Sequence, residues 1–310
     1  MGNKSNYKEY HYDTKSAFVA IVGRPNVGKS SLMNKLVGEK IAIVSNKPQT
    51  TRNKIMGVLT KETTQFVFID TPGLHHPKNK LSEYMVKQIN ESVADVDAAV
   101  LVVDAEKEIG DAEKNLIENI KKSHMPSILA INKIDLIKDK SLLMGKIQDY
   151  INLFDFDAVV PISALHGQGV DELLDEIEKF AGESPHFFPD DTLTDQPERV
   201  IAAEIIREKI LRCTYDEIPH GTAVIIDRMK ERNNKNGEAI IDLDATILCE
   251  RESHKGMIIG KQGQMLKKIG SFARADLESF LDVKINLKLW VKVKEDWRNR
   301  ETVIKNLGFE

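Results

Sequence analysis

Eight consecutive residues carry the strongest chemical signal in this chain: Gly23, Arg24, Pro25, Asn26, Val27, Gly28, Lys29 and Ser30 read GRPNVGKS, with Ser31 following. An apolar run, FVAIV, precedes them and a helix-like SLMNKLVG comes after. Glycines at this spacing let backbone N–H groups wrap a polyphosphate, and a helix N-terminus adds positive potential. Lys29 then reaches the β and γ oxygens, and the Ser30 hydroxyl is placed to hold Mg²⁺. The pattern predicts a nucleoside triphosphate site without naming the base.

Two later motifs add the γ-phosphate and the base. Asp70, Thr71, Pro72 and Gly73 end the run QFVFID; a carboxylate there holds Mg²⁺ through water, and the Gly73 N–H meets the γ-phosphate. Asn132, Lys133, Ile134 and Asp135 end the run PSILAI. A carboxylate accepts two hydrogen bonds from the guanine N1–H and N2 amine, donors that adenine lacks on that edge, so Asp135 selects guanine. Asn132 braces the loops, the Lys133 stem covers the purine face, and the turn Ser163, Ala164, Leu165 offers a backbone N–H to guanine O6. GTP and GDP are the expected ligands.

These motifs need strand ends to hold them. From residue 17 to about 180, continuous apolar runs alternate with amphipathic stretches, the pattern of buried parallel strands joined by crossover helices. The expectation is an α/β domain with a doubly wound, mostly parallel sheet and its ligand at the strand ends. Residues 181–198, GESPHFFPDDTLTDQPER, break the periodicity with three prolines and read as a linker. A second, smaller α+β domain, 199–310, follows in the order α-β-β-α-α-β. Residues 1–16 are polar and read as a disordered tail.

In that second domain Gly260, Lys261, Gln262 and Gly263 sit between Met257, Ile258, Ile259 and a helix carrying Lys267 and Lys268. A GxxG turn brings backbone N–H groups close to a nucleic-acid backbone, with Lys261 meeting phosphate. In this element order the segment resembles a KH domain of the second topological type. The last strand alternates Ile285, Leu287, Leu289, Val291 and Val293 with Asn286, Lys288, Trp290, Lys292 and Lys294. One face is therefore apolar, and the other, basic with one aromatic, reads either as a solvated surface or as a nucleic-acid contact.

Charge supports this division. The chain carries a formal net charge of −4, yet residues 251–300 hold twelve basic against six acidic side chains. Its composition, 41% hydrophobic and 30% charged, is that of a soluble globular protein. No run of about 18 apolar residues suggests a membrane span. Gly2 lacks the Ser or Thr four residues on that myristoylation requires, Asn6 standing there. Cys213 and Cys249 form no metal or redox motif and read as packing residues.

GRPNVGKS, DTPG, NKID and SAL together resemble the translational and ribosome-associated GTPases. By that resemblance Pro48, Gln49, Thr50, Thr51 and Arg52 correspond to a first switch loop, with Thr51 completing the Mg²⁺ shell alongside Ser30. Leu74 stands where Ras-like enzymes place a water-orienting glutamine. GTPases with an apolar residue there often carry an asparagine in the phosphate loop that helps to hold K⁺, and Asn26 matches it. The implied catalytic set is Asn26, Lys29, Thr51, Asp70 and Gly73, with K⁺ supplying charge stabilisation. His75 and His76 read as solvated loop residues.

A guanine domain followed by a KH domain resembles the Era family of ribosome-assembly GTPases from about residue 17 to the end. HFFPDD, EIIREKIL and LWVKVKEDW extend the resemblance. It implies slow GTP hydrolysis stimulated by RNA, binding to the 3′ end region of 16S ribosomal RNA, and a role in assembling the small ribosomal subunit. It also implies a monomer in the cytoplasm with peripheral association at the inner face of the cell membrane. The alternative is a sister-family ribosome-associated or tRNA-modifying GTPase, which the single phosphate loop and the intact GKQG disfavour.

Overall fold

Apolar runs without alternation become strands covered on both faces. In a computed structural model, which describes residues 12–45, 47, 50–52, 54–70, 80–81, 96–215, 218, 221–234 and 236–307, these runs form β1 (Lys15–Val22), β3 (Thr64–Asp70), β4 (Ala98–Asp104), β5 (Ser127–Asn132) and β6 (Ala158–Pro161). Together with β2 (Ile55–Lys61) they pair in the order β2-β3-β1-β4-β5-β6. Every neighbour along that path is parallel except β2, which runs antiparallel to β3. Helices α1 (Lys29–Val37), α2 (Asp111–Ser123), α3 (Lys140–Ile151) and α4 (Val170–Glu178) join or follow the strands.

Alternate residues of one strand serve two cores. Ala17, Val19 and Ile21 of β1 pack with Leu32 of α1 and Leu173 of α4, while Ala20 and Val22 pack with Leu116 and Ile120 of α2. This is the doubly wound sheet that the sequence predicts. The periodicity did not single out β2, whose run is interrupted by Gly57. A side chain at Gly57 would collide with Met33, Ile41 and Val37, so the glycine marks a close approach to α1 within a genuine strand.

Residues read as a linker are fastened to the first sheet. β7 (Gly182–Glu183) pairs antiparallel with β1. Fully buried Gln65 receives the N–H groups of Phe187 and Phe188 on Oε1 at 2.8 and 2.9 Å and donates from Nε2 to the Phe188 carbonyl at 2.9 Å. Farther along, Val58 N–H donates to the Leu193 carbonyl at 2.9 Å and the Thr194 hydroxyl to the Met56 carbonyl at 2.6 Å. The segment thereby satisfies groups of the edge strand β2.

The C-terminal domain is α5 (Glu198–Cys213), β8 (Ala223–Asn233), β9 (Ala239–Cys249), α6 (Glu252–Ile259), α7 (Gln264–Leu281) and β10 (Lys284–Val293), with α8 (Glu301–Asn306) after it. Its sheet has the order β10-β9-β8, with β10 parallel and β8 antiparallel to β9. Ile205, Ile206, Ile258, Ile269 and Leu277 from the helices close one face over Leu243, Ala245 and Ile247.

Candidate functional site

All the parallel strands of the first sheet end at one edge, and the candidate residues gather there. The loop after β1 turns into α1 through Gly28, at φ 104°, where a side chain would collide with the carboxamide of Asn132. Phosphate loop and base loop are therefore packed together. Asn132 fixes the distance between them, its Nδ2 donating to the Val27 carbonyl at 2.7 Å and its Oδ1 accepting from Ala164 N–H at 2.9 Å.

The oxygens expected around a divalent cation converge. Ser30 Oγ lies 2.7 Å from Asp70 Oδ2 and 2.9 Å from Thr51 Oγ1, and Thr51 Oγ1 lies 3.4 Å from the same carboxylate oxygen. Of the two adjacent threonines, Thr51 enters this cluster while the Thr50 hydroxyl turns to the Lys47 carbonyl at 2.6 Å. A hydroxyl, hydroxyl and carboxylate set is a hard-oxygen set, which suits Mg²⁺. Lys29 Nζ is held by the Gly23 and Arg24 carbonyls, each at 3.1 Å. Burial pulls its ammonium below the ordinary lysine range, against the attraction of Asp70, and β and γ oxygens would return the partners that burial removes. Pro25, Asn26, Gly28, Ser31 and Thr50 line the same cavity. Asn26 has φ 64°, the left-handed conformation that asparagine tolerates.

At the base end, Ser163 Oγ donates to Asp135 Oδ1 at 2.6 Å, and Lys133, at φ 68°, pairs through Nζ with Asp104 Oδ2 at 2.6 Å. Asp104, buried at the end of β4, is a site-shaping residue that the motif reading missed; its position at the tip of a buried apolar run was the available signal. Leu165 is highly exposed at 77%. Thr71, Pro72, Gly73, Leu74, His75 and His76 lie outside the described residues, as do Pro48 and Gln49.

The second domain reaches directly into the switch segment. Arg207 of α5 donates to the Thr50 carbonyl. Glu208, its side chain wholly buried, accepts from Val44 N–H at 3.1 Å and from Lys40 Nζ at 2.7 Å. Lys40 also reaches Asp276 of α7 at 2.6 Å, and Lys209 joins both carboxylates. Burial lowers the pKa of Lys40, but its hydrogen bonds to Asp276 and Glu208 outweigh that and leave it raised. Glu208 and Asp276 are held below their ordinary values, burial opposing and the lysine hydrogen bonds prevailing. Arg52 donates to the Thr222 carbonyl at 2.8 Å and lies 5.7 Å over the Trp297 ring. Burial, assisted by the charge of Arg207, pushes its guanidinium down to about 9. Elsewhere in the first domain, Lys80 pairs with Glu301 at 2.6 Å, and Leu81 packs with Trp297 and Ile304.

The GxxG turn closes α6 and opens α7. Gly260 and Gly263 have φ 73° and 76°, and Lys261 and Gln262 are exposed. Lys267 and Arg274 of α7 face Leu287 and Leu289 of the edge strand β10 across an open groove also lined by Gly263, Leu266 and Gly270. Met257 is half exposed and Ile259 partly buried, but Ile258 is fully buried in the domain core and presents no side chain to a ligand. Lys268 lies 5.8 Å over the Phe272 ring and is not among the groove-lining residues. Arg274 and the two leucines were missed as groove residues; the helical spacing of Lys267, Gly270 and Arg274 was the signal for the arginine.

A family profile described as a 50S ribosome-binding GTPase matches residues 18–133, and a KH domain profile matches residues 217–298. GTPase Era of Ruminiclostridium cellulolyticum is 52% identical over 297 residues, covering 96% of this chain and 98% of that protein. GTPase Era of Clostridioides difficile is 54% identical over 295 residues, covering 95% and 98%. This chain belongs to the Era family of GTPases. Era in complex with MgGDPNP and nucleotides 1506–1542 of 16S ribosomal RNA superposes with a TM-score of 0.90 at 38% identity, covering 96% of this chain and 99% of that one. A single-substitution variant of Aquifex aeolicus Era bound to GDP·AlF4⁻ gives the same TM-score, identity and coverage. Era membership makes this chain a GTPase with a C-terminal KH domain. Among the described residues, no helix is long and apolar enough to cross a membrane.

Proposed function

We propose that this GTPase is a switch that binds the 3′ end region of 16S ribosomal RNA in its KH groove and acts in assembly of the small ribosomal subunit. The observation that carries the reading is the physical continuity from the Mg²⁺-type oxygen cluster to the RNA groove: Thr51 meets Ser30 and Asp70, Thr50 is held by Arg207, and Lys40 joins Glu208 to Asp276 on the helix that lines the groove. A solved relative with RNA and nucleotide supports the choice of ligand.

In this reading Ser30, Thr51 and Asp70 would hold Mg²⁺, which would supply neutralisation of phosphate charge when bound. Lys29 and the backbone N–H groups of residues 26–31 position the β and γ phosphates. Asp135 reads the guanine edge while Asn132, Lys133 and the turn at 163–165 frame the ring. Asn26, which lines the cavity, would help to hold K⁺, which would supply charge stabilisation; hydrolysis is then expected to run faster in K⁺ than in Na⁺ at matched ionic strength, and equal rates would remove that ion from the reading. Loss of the γ-phosphate frees Thr51, and the release passes through Arg207 to the KH domain.

The deciding experiment titrates an oligonucleotide of nucleotides 1506–1542 against the protein in GDP and in a GTP analogue, and measures hydrolysis with and without RNA. Different affinities in the two states support the switch; equal affinities together with unstimulated hydrolysis overturn it. Peripheral contact with the inner face of the cell membrane is the finer localisation we assign. Leu142 and Met144 are exposed near Lys138 and Lys140 in sequence, and sedimentation with anionic vesicles tests it.

A further inference from the structure

The face of the KH sheet turned away from the helices is not used by the groove. Asn286 of β10 donates to Asp242 of β9 at 2.8 Å, and Arg232 of β8 holds the same carboxylate through two nitrogens at 2.7 and 3.1 Å, so these three share that outer face. Register then places Lys288 beside Asp244 and Arg228, and Trp290 beside Thr246 and Ile225. A bulge between Ile226 and Arg228 adds Asp227, which accepts from the Thr246 hydroxyl at 2.6 Å. The face carries Arg228, Lys230, Arg232, Lys288 and Lys292 against Asp227, Asp242 and Asp244, Lys284 at the strand start pairing instead with Glu278 of α7. That is a basic surplus in a chain whose net charge is −4. Trp290 stands in it 45% exposed. At its far end Ala223 and Leu248 are covered by Trp297 and Ile304, which leaves the Trp290 region as the open part.

We propose that this outer face is a second RNA-binding surface, on which Trp290 stacks against an unpaired base while Lys288 and Lys292 hold the flanking phosphates. The proposal rests on the KH groove being an RNA site, and one strand ties the two surfaces together. β10 is an edge strand. It gives Leu287 and Leu289 to the groove and, one residue out of phase, Lys288 and Trp290 to the outer face. RNA leaving the groove reaches Trp290 by turning around a single strand, with no other element to cross among the described residues. Along that strand Lys288 and Lys292 are about 13 Å apart with the indole midway, a cation, aromatic, cation order that suits a base and its two phosphates.

The chain has two tryptophans, and Trp297 is fully buried, so RNA quenching of indole emission at fixed nucleotide reports Trp290. The test uses the full chain with a GTP analogue, RNA 1506–1542, and fragments of about six nucleotides tiled along it, long enough for the groove alone. Trp290→Ala is expected to weaken the long RNA about tenfold and the best fragment less than twofold, with Trp290→Phe retaining most of the affinity. Lys288→Glu with Lys292→Glu weakens the long RNA further and lowers its salt slope by about one. Quenching appears with the long RNA alone. Unchanged long-RNA affinity in Trp290→Ala, or an equal loss for long RNA and fragment, overturns the proposal. So does loss of vesicle binding with RNA binding intact, which gives the face to a membrane. Lys267→Glu with Arg274→Glu tests the groove separately: if it spares every RNA, the groove reading fails and the outer face is no longer a second surface, whereas if it weakens long RNA and fragment alike while Trp290→Ala weakens neither, the outer-surface proposal alone fails.

Discussion

The two ends of the nucleotide site are braced by different parts of the molecule. At the base end, Asn132, Asp135, Ser163 and Ala164 hold one another within the first domain. At the γ-phosphate end, Val44, Thr50 and Arg52 are held by Glu208, Arg207, Thr222 and Trp297 of the second. Base selection is thus a local property of one sheet edge. The position of the first switch depends on a domain whose contacting arginine is 157 residues away in sequence, so domain docking and γ-phosphate binding draw on the same segment.

Substitution at the base end gives the largest effect and spares the other end. Asp135→Asn replaces a two-acceptor carboxylate with an amide that presents one acceptor and one donor. GTP affinity is expected to fall by about a thousandfold or more while xanthosine triphosphate gains. Nucleotide titration with both bases checks this, and domain docking, followed by chain stability in denaturant, is expected to stay unchanged. Retained GTP preference would remove Asp135 from the base site.

Breaking the interdomain end does the reverse. Glu208→Ala leaves Lys40 and Lys209 sharing only Asp276, a buried charge imbalance with an expected cost of about 3 kcal/mol. Chemical denaturation reads that loss, and the GDP-to-GTP difference in RNA affinity is expected to shrink with it. Guanine selectivity should not move. A smaller disturbance, Arg52→Lys, keeps the charge but replaces the guanidinium that lies over Trp297 and donates to the Thr222 carbonyl, at about 1 to 2 kcal/mol. Its mark is a nucleotide-dependent change in Trp297 emission that the wild type shows and the variant lacks.

The comparison also explains what was legible. GRPNVGKS, Asp70 and NKID are short, contiguous and placed at the ends of apolar runs, so strand prediction and motif chemistry located them together. Thr51 entered through family likeness, and its hydroxyl does meet Ser30 and Asp70. The interdomain brace was not legible, because Thr50 and Arg207 are 157 residues apart and loop carbonyls leave no mark in a side-chain pattern. One trace existed. Arg207, Glu208 and Lys209 are consecutive in an isoleucine-rich helix, and three adjacent helical positions span too wide an arc for all to face water when both flanks are apolar. In the KH domain, Gly260 and Gly263 announced the turn. The face of the following helix that lines the groove had a trace in the spacing of Lys267, Gly270 and Arg274, but its partners Leu287 and Leu289 emerged from the packing against β10.

The weakest member of the interdomain cluster gives the finest test. Asp276 and Glu208 are both held below the ordinary carboxylate value, about 4 for aspartate. A depressed carboxylate contributes stability that is present above its unfolded pKa and lost as pH falls through the lower, folded one. Lys40 is raised, so its share is complete below its unfolded value of about 10.4 and disappears as pH climbs past the folded one. Docking is therefore expected to be flat between about pH 5 and 10 and to loosen at both extremes. Asp276 is about one-third exposed, which limits its part to about 1 kcal/mol. Asp276→Asn should flatten the acid limb of the stability curve without shifting the alkaline one much, since Lys40 keeps Glu208. A variant curve that superposes on the wild type below about pH 4 would assign the acid sensitivity to Glu208 alone and leave the link from the first switch to α7 without its charge.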